Sequence, residues 1–147
     1  MTTSASRSAA EAKAIVRRLF DELINTGDVS AAPRVLSADH VAHFAGFPQA
    51  MDLQAWIDAS RNYFGGFPDL RVTIQDMLAE GDRVAVRTTW TGTHQGPFLG
   101  VPATGRHVDG AGMGLYRLAG DRIAEQWVTE DMTALMQQLS QPQAVEP

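Results

Sequence analysis

Ile123-Ala-Glu-Gln-Trp-Val-Thr-Glu-Asp131 leaves the tight turn Ala119-Gly-Asp-Arg122, and the fold is decided by how this run is read. As a β-strand it alternates sides, so Ile123, Glu125, Trp127, Thr129 and Asp131 share one face. A tryptophan set among carboxylates suits the wall of a pocket better than a solvated surface. The expectation is an apolar cavity with an acid at its edge.

Working back from that run, residues His107 to Leu118 form a long strand in which Gly110, Gly112, Gly114 and Tyr116 lie on one side. Three glycines on one face leave room for other groups, or mark bulges and bends. A loop punctuated by glycine and proline, Gly92 to Gly105, precedes it. Before the loop, Leu70, Val72, Ile74 and Leu78 alternate with Arg71, Thr73, Gln75 and Met77, Gly81-Asp82 turns, and Val84, Val86, Thr88 and Trp90 alternate again. That is a hairpin of two antiparallel strands.

The N-terminal half has the helical period instead. Ala12, Ile15, Val16, Leu19, Phe20, Leu23 and Ile24 make one apolar stripe, with Ser8 and Glu11 spaced as a capping box and Gly27 at the stop. A short helix is expected from Ser30 as cap through Pro33 to Leu36, then a brief strand and loop over 39–48. A third helix, capped by Asp52, carries Leu53, Trp56, Ile57, Ser60 and Phe64 on one side and stops at Gly65-Gly66. Leu135, Met136 and Leu139 belong to a last helical turn or two, followed by a polar tail from Gln141 to Pro147.

Helices first and long strands afterwards define an α+β domain: three N-terminal helices packed across one curved antiparallel sheet, a cone with an open end. One domain over 1–147 accounts for the chain, ordered over about 8–140 with polar tails at both ends. The net charge of −5, with Lys and Arg scattered, argues against a nucleic-acid partner. Absence of cysteine excludes disulfides and thiol nucleophiles. The polar N-terminus and the lack of a long apolar run point to a cytoplasmic protein without membrane association. His40 and His43 are three apart but lack a third ligand, so no metal is expected.

The segments Gly92-Thr-His94-Gln-Gly96-Pro-Phe98-Leu-Gly100-Val-Pro102-Ala-Thr-Gly105-Arg106, Leu115-Tyr-Arg117 and Ile123-Ala-Glu125-Gln-Trp127, followed by Asp131 and Gln138-Leu139, resemble the SnoaL-like polyketide cyclases of the nuclear-transport-factor-two-like superfamily. The likeness runs from about residue 12 to 140. It implies a dimeric cone and, in the cyclases, an aldol ring closure that needs neither metal nor cofactor. Asp131 matches the acid/base aspartate of those enzymes; the other reading of Asp131 is a cap for the following helix. A histidine that assists in the best-known cyclases would align with Gly114 and is missing here. His43 stands where the cyclases have a pocket asparagine and the steroid-isomerase cousins a basic carboxylate, and an imidazole there could move a proton near neutral pH. Steroid isomerisation itself does not fit, because Leu19 and Phe20 occupy the place of that family's tyrosine.

The expected function is therefore a cofactor-free cyclase or isomerase acting on a hydrophobic, polyketide-like carbonyl compound. Asp131 is its acid/base and His43 the helper. Trp56, Phe64, Trp90, Tyr116 and Trp127 are wall residues, and His94 lines the mouth or ties the loop down. Arg87 neutralises Glu125, binds a substrate oxygen or faces outward. The rival reading is a ligand-binding or dimerisation module that kept the cone without the chemistry.

Overall fold

The computed structural model describes residues 7–140; the expected C-terminal polar tail and the first residues lie outside them. Helix α1 (Ala9–Arg18) starts as its sequence predicts, with the Ser8 hydroxyl accepting from the Glu11 N–H at 3.1 Å. It runs on into a wider π-helical segment, Leu19–Ile24, whose apolar residues Leu19, Phe20 and Leu23 are buried. Asn25 fixes the end of this segment to the sheet. Its side-chain amide donates to Val72 O at 2.9 Å and accepts from Val72 N at 2.7 Å.

The next short helix, α2 (Ala32–Val35), follows a 3-10 turn at Val29–Ala31 that is capped by Asp28 rather than by Ser30. Helix α3 (Leu53–Gly66) has the expected Asp52 cap, which accepts from Ala55 N at 2.8 Å. Its last carbonyl is taken up by the long loop, where Gln95 N donates to Gly66 O. Helix α4 (Met132–Ser140) closes the described chain.

The five strands are β1 (Leu36–Phe44), β2 (Arg71–Glu80), β3 (Arg83–Thr93), β4 (His107–Ala119) and β5 (Arg122–Glu130). They form one sheet in the order β1-β5-β4-β3-β2. All contacts are antiparallel except β1 with β5, so the sheet is mixed, where an all-antiparallel one was expected. The departure comes from β1, which begins at Leu36 and is longer than the expected brief strand. Its buried positions include His40 and Ala42, a polar and a small residue that hide the alternation.

Chain geometry explains the core. β1 and β2 are at opposite edges of the sheet, so α3, between them in sequence, must cross the sheet's inner face. That crossing holds Trp56 near β1 and brings Phe67, just after the helix, against Trp90 of β3. Val16, Leu19 and Leu23 then meet Val84, Val86, Leu118 and Ile123 in the main core. Each such side chain, fully buried, contributes about 1.5–3 kcal/mol. A second cluster, Phe67, Trp90, Phe98, Val108, Leu135 and Leu139, lets α4 and the long loop cover one end of the cone.

Two single-residue irregularities redirect side chains. In β2 the register shifts between Ile74 and Asp76, so Met77 and Ala79 turn inward while Leu78 is 73% exposed, contrary to simple alternation. In β5, Leu118 pairs with Ile123 and Arg117 with Glu125, which leaves Ala124 as the extra residue of a bulge. Ile123 faces the core. Beyond the bulge the inward set is Gln126, Val128 and Glu130, not Glu125, Trp127 and Thr129.

Candidate functional site

A cavity of about 110 Å³ opens between the π-helical segment, α3 and the inner face of the sheet. Its walls are mostly apolar: Leu19, Phe20, Ile24, Phe44, Trp56, Phe64, Val72, Trp90, Tyr116 and Val128. Polar groups are few and specific, namely Ser60, Tyr63, Thr88, Gln126 and Glu130, the pattern of a small-molecule site.

Glu130 is the only carboxylate among the cavity's lining residues. It lies at the last position of β5, opposite Gly112 of β4. A Cβ built on Gly112 would fall 2.5 Å from the Glu130 Oε2, so only glycine leaves the carboxyl its place. Gly110 in the same way makes room for the Trp90 indole, and Gly114 for the Tyr116 ring. The glycine face of β4 is therefore a trough holding a carboxyl, an indole and a phenol.

Burial in this greasy trough pushes the Glu130 pKa from its ordinary 4.5 up to about 7, and the neighbouring Trp90 indole N–H pulls it back only in part. Oε2 is buried and has no hydrogen-bond partner. A carboxyl poised near neutrality, with an open lone pair, can accept a proton and return it. Burial and the nearby Glu130 charge also push the Tyr63 phenol up to about 12 and the Tyr116 phenol higher still, so both remain protonated donors.

The sequence-based candidates divide between the two sides of the sheet. Trp56, Phe64, Trp90 and Tyr116 line the cavity. Asp131 does not: it is exposed, and its Oδ1 caps α4 by accepting from Ala134 N at 3.0 Å. The bulge at Ala124 explains the misplacement, because counting by twos from Ile123 lands on the wrong face. Trp127 and His43 are on the outer face, stacked on each other at 5.4 Å and 11°. There the His43 Nε2 lies 2.8 Å from Glu125 Oε2, and Arg117 is 3.3 Å from the other oxygen. The hydrogen bond to His43, with help from Arg117, holds the Glu125 carboxyl below its usual range. Arg87 pairs with Asp76 at 2.6 Å rather than with Glu125.

His94 is fully buried beneath the long loop and is not among the cavity residues. Its Nδ1 accepts from Thr104 N at 3.2 Å, and its backbone pairs with Gly105 and Arg106. It ties the loop down. Among the described residues no three His, Asp or Glu side chains come together as a metal site, and no helix is long and apolar enough to cross a membrane.

Sequence reasoning gives no site role to Glu130 or Gln126 and reads Tyr63, with Phe64 and Phe67, as apolar packing at the end of α3. The signal for Glu130 was present in the glycines of β4: three vacated positions need bulky partners, and the residue opposite Gly112 is an acid.

The family model for SnoaL-like polyketide cyclases matches residues 14–139, nearly the whole of this architecture. The chain belongs to the SnoaL-like polyketide cyclase family. Its fold is similar to that of a candidate SnoaL-like polyketide cyclase from Jannaschia sp. CCS1, at 30% identity and a TM-score of 0.85, covering 96% of this chain and 99% of that one. AclR, a candidate hydroxylase from Streptomyces galilaeus, is 29% identical with a TM-score of 0.82, over 95% and 87% of the two chains. IdmH, a candidate polyketide cyclase from Streptomyces antibioticus, is 30% identical with a TM-score of 0.78, over 88% and 99%. No curated protein matches the chain. The SnoaL-like fold thus comes with neighbours described as cyclases and as a hydroxylase, and the choice of chemistry falls to the residues in the cavity.

Proposed function

We propose that this SnoaL-like protein is a cofactor-independent cyclase or isomerase that moves protons on an apolar, enolisable carbonyl compound, with Glu130 as the acid/base. The observation that carries the proposal is the buried Glu130 carboxyl, pushed up to about 7 in a cavity walled by aromatic rings. In its charged form Glu130 takes a proton from the carbon beside a carbonyl. The resulting enolate carbon attacks a second carbonyl carbon of the same molecule, and the protonated Glu130 returns its proton to the new alkoxide. One carboxyl serves both halves if both reacting positions come within hydrogen-bond reach. The flat walls Trp56, Trp90 and Tyr116 favour a planar substrate, and the cavity volume favours a compact one.

The test is exchange of deuterium into the carbon beside the carbonyl, across a panel of polyketide-like and simpler enolisable ketones. Wild type should exchange at least one of them, with a rate that rises with pH around a midpoint near 7, and Glu130→Gln should lose that exchange while still binding the compound. A binding module would bind and show no exchange in either form.

A further inference from the structure

We infer that Tyr116 and Gln126 form a receiving site for a substrate oxygen that gains negative charge, and that His40 holds Gln126 in the donating orientation. The inference rests on the reading of Glu130 as the base, because it supplies what that reaction needs next, a place for the enolate charge.

The two donors come from directly paired positions, Tyr116 on β4 and Gln126 on β5. Both side chains line the cavity although the residues are only 5% and 2% exposed. Among the described residues, neither the Tyr116 hydroxyl nor the Gln126 amide nitrogen has a hydrogen-bond partner, so both can be given to a ligand.

Gln126 is not free to turn. Its Oε1 lies 3.0 Å from the Nε2 of His40, a buried histidine whose Nδ1 has no partner. An N–H stranded at Nδ1 would cost more than a stranded lone pair, which puts the proton on Nε2, donating to Oε1. Burial also holds the His40 imidazole below its ordinary pKa and hence neutral. The Gln126 carbonyl oxygen is thereby fixed toward His40, and the NH₂ group turns to the cavity. Trp56, edge-on to His40 at 6.0 Å, keeps the ring in place.

The Tyr116 ring lies along the glycine trough toward Glu130. Its hydroxyl would be 2.8 Å from a Cβ built on Gly114, while the Glu130 carboxyl sits over Gly112, one step of about 7 Å further along the same face. A phenol that donates and a carboxyl that accepts thus flank one short stretch of cavity. That spacing suits a carbonyl oxygen on the phenol side with its neighbouring C–H on the carboxyl side. The ligand class is a compact planar ketone, or a phenol that imitates its enolate.

The experiment compares the binding of 2-naphthol with that of naphthalene, which has the same rings and no oxygen, in Glu130→Gln protein, where the carboxylate cannot repel an oxyanion. The naphthol should bind at least ~10-fold more tightly, with its absorption shifted to the red. Adding Tyr116→Phe or Gln126→Met should each cut that preference about 10-fold and leave naphthalene affinity unchanged. Adding His40→Phe, which keeps an aromatic ring against Trp56, should lower the preference without touching naphthalene affinity. A naphthol preference in the Tyr116→Phe and Gln126→Met proteins as large as that of the parent overturns the inference, as does no preference in the parent. Loss of the Glu130 reading has a different signature: deuterium exchange indifferent to Glu130→Gln, with the naphthol preference intact.

Discussion

The two faces of β5 hold carboxylates five residues apart that live in opposite worlds. On the outer face Glu125 is matched by His43 and Arg117 and keeps a low pKa. On the inner face Glu130 has an apolar shell, an orphan oxygen and a pKa raised to about 7. A satisfied carboxylate gains nothing by accepting a proton, whereas an unsatisfied one near its pKa does so readily. Chemistry therefore belongs on the face of β5 that is less well solvated, and single substitutions on the two faces should tell them apart.

The largest effect should come from the inner acid. Glu130→Gln is expected to lower the rate of deuterium exchange by about 10²–10⁴-fold, and Glu125→Gln by less than about twofold, in parallel initial-rate assays. A larger loss from Glu125 than from Glu130 would reverse the comparison.

Stability should show the cost of that arrangement. Because the folded pKa of Glu130 lies above its unfolded value, the raised pKa stabilises the fold fully below about pH 4.5, and that contribution is lost as pH rises through about 7. From 4.5 to about 7 the shift corresponds to about 3 kcal/mol. Urea unfolding at pH 4 and pH 8 should therefore show Glu130→Gln near wild type at the lower pH and more stable at the higher. No gain at pH 8 would mean that the carboxyl is not desolvated.

Gly112→Ala sharpens the same point from the opposite strand, since its methyl group would meet the Glu130 carboxyl. It should cost about 1–3 kcal/mol in wild type, measured by chemical denaturation. Asp131→Ala is expected to cost about 1 kcal/mol through the lost cap, with exchange rate nearly kept. The smallest effect belongs to His43→Ala, where the half-buried, solvent-screened pair with Glu125 contributes about 0–1 kcal/mol.

Much of the fold was legible because it is written in periods. The stripe from Ala12 to Ile24, the Ser8 and Asp52 caps and the alternation of Val84, Val86, Thr88 and Trp90 all appear where the sequence predicts them. Trp56, Phe64, Trp90 and Tyr116 of the aromatic wall were legible for the same reason, whereas Phe20, Phe44 and Tyr63 of that wall were not. What alternation cannot reveal is an inserted residue. The bulge at Ala124 reverses the facing of everything after it in β5, so Asp131 and Trp127 were expected inside and Glu130 was passed over. The shift after Ile74 does the same to Leu78. His43 was misplaced by a different cause: resemblance gives a position in a motif, and the stack with Trp127 fixes which side of the sheet that position faces here.

The claim on which the rest stands is that Glu130 is an acid held out of water inside the cavity. Carbon-13 NMR of glutamate-labelled protein, with Glu130→Gln to assign the signal, measures its titration directly. The midpoint should fall near 7; a midpoint near the ordinary 4.5 would place the carboxyl in water.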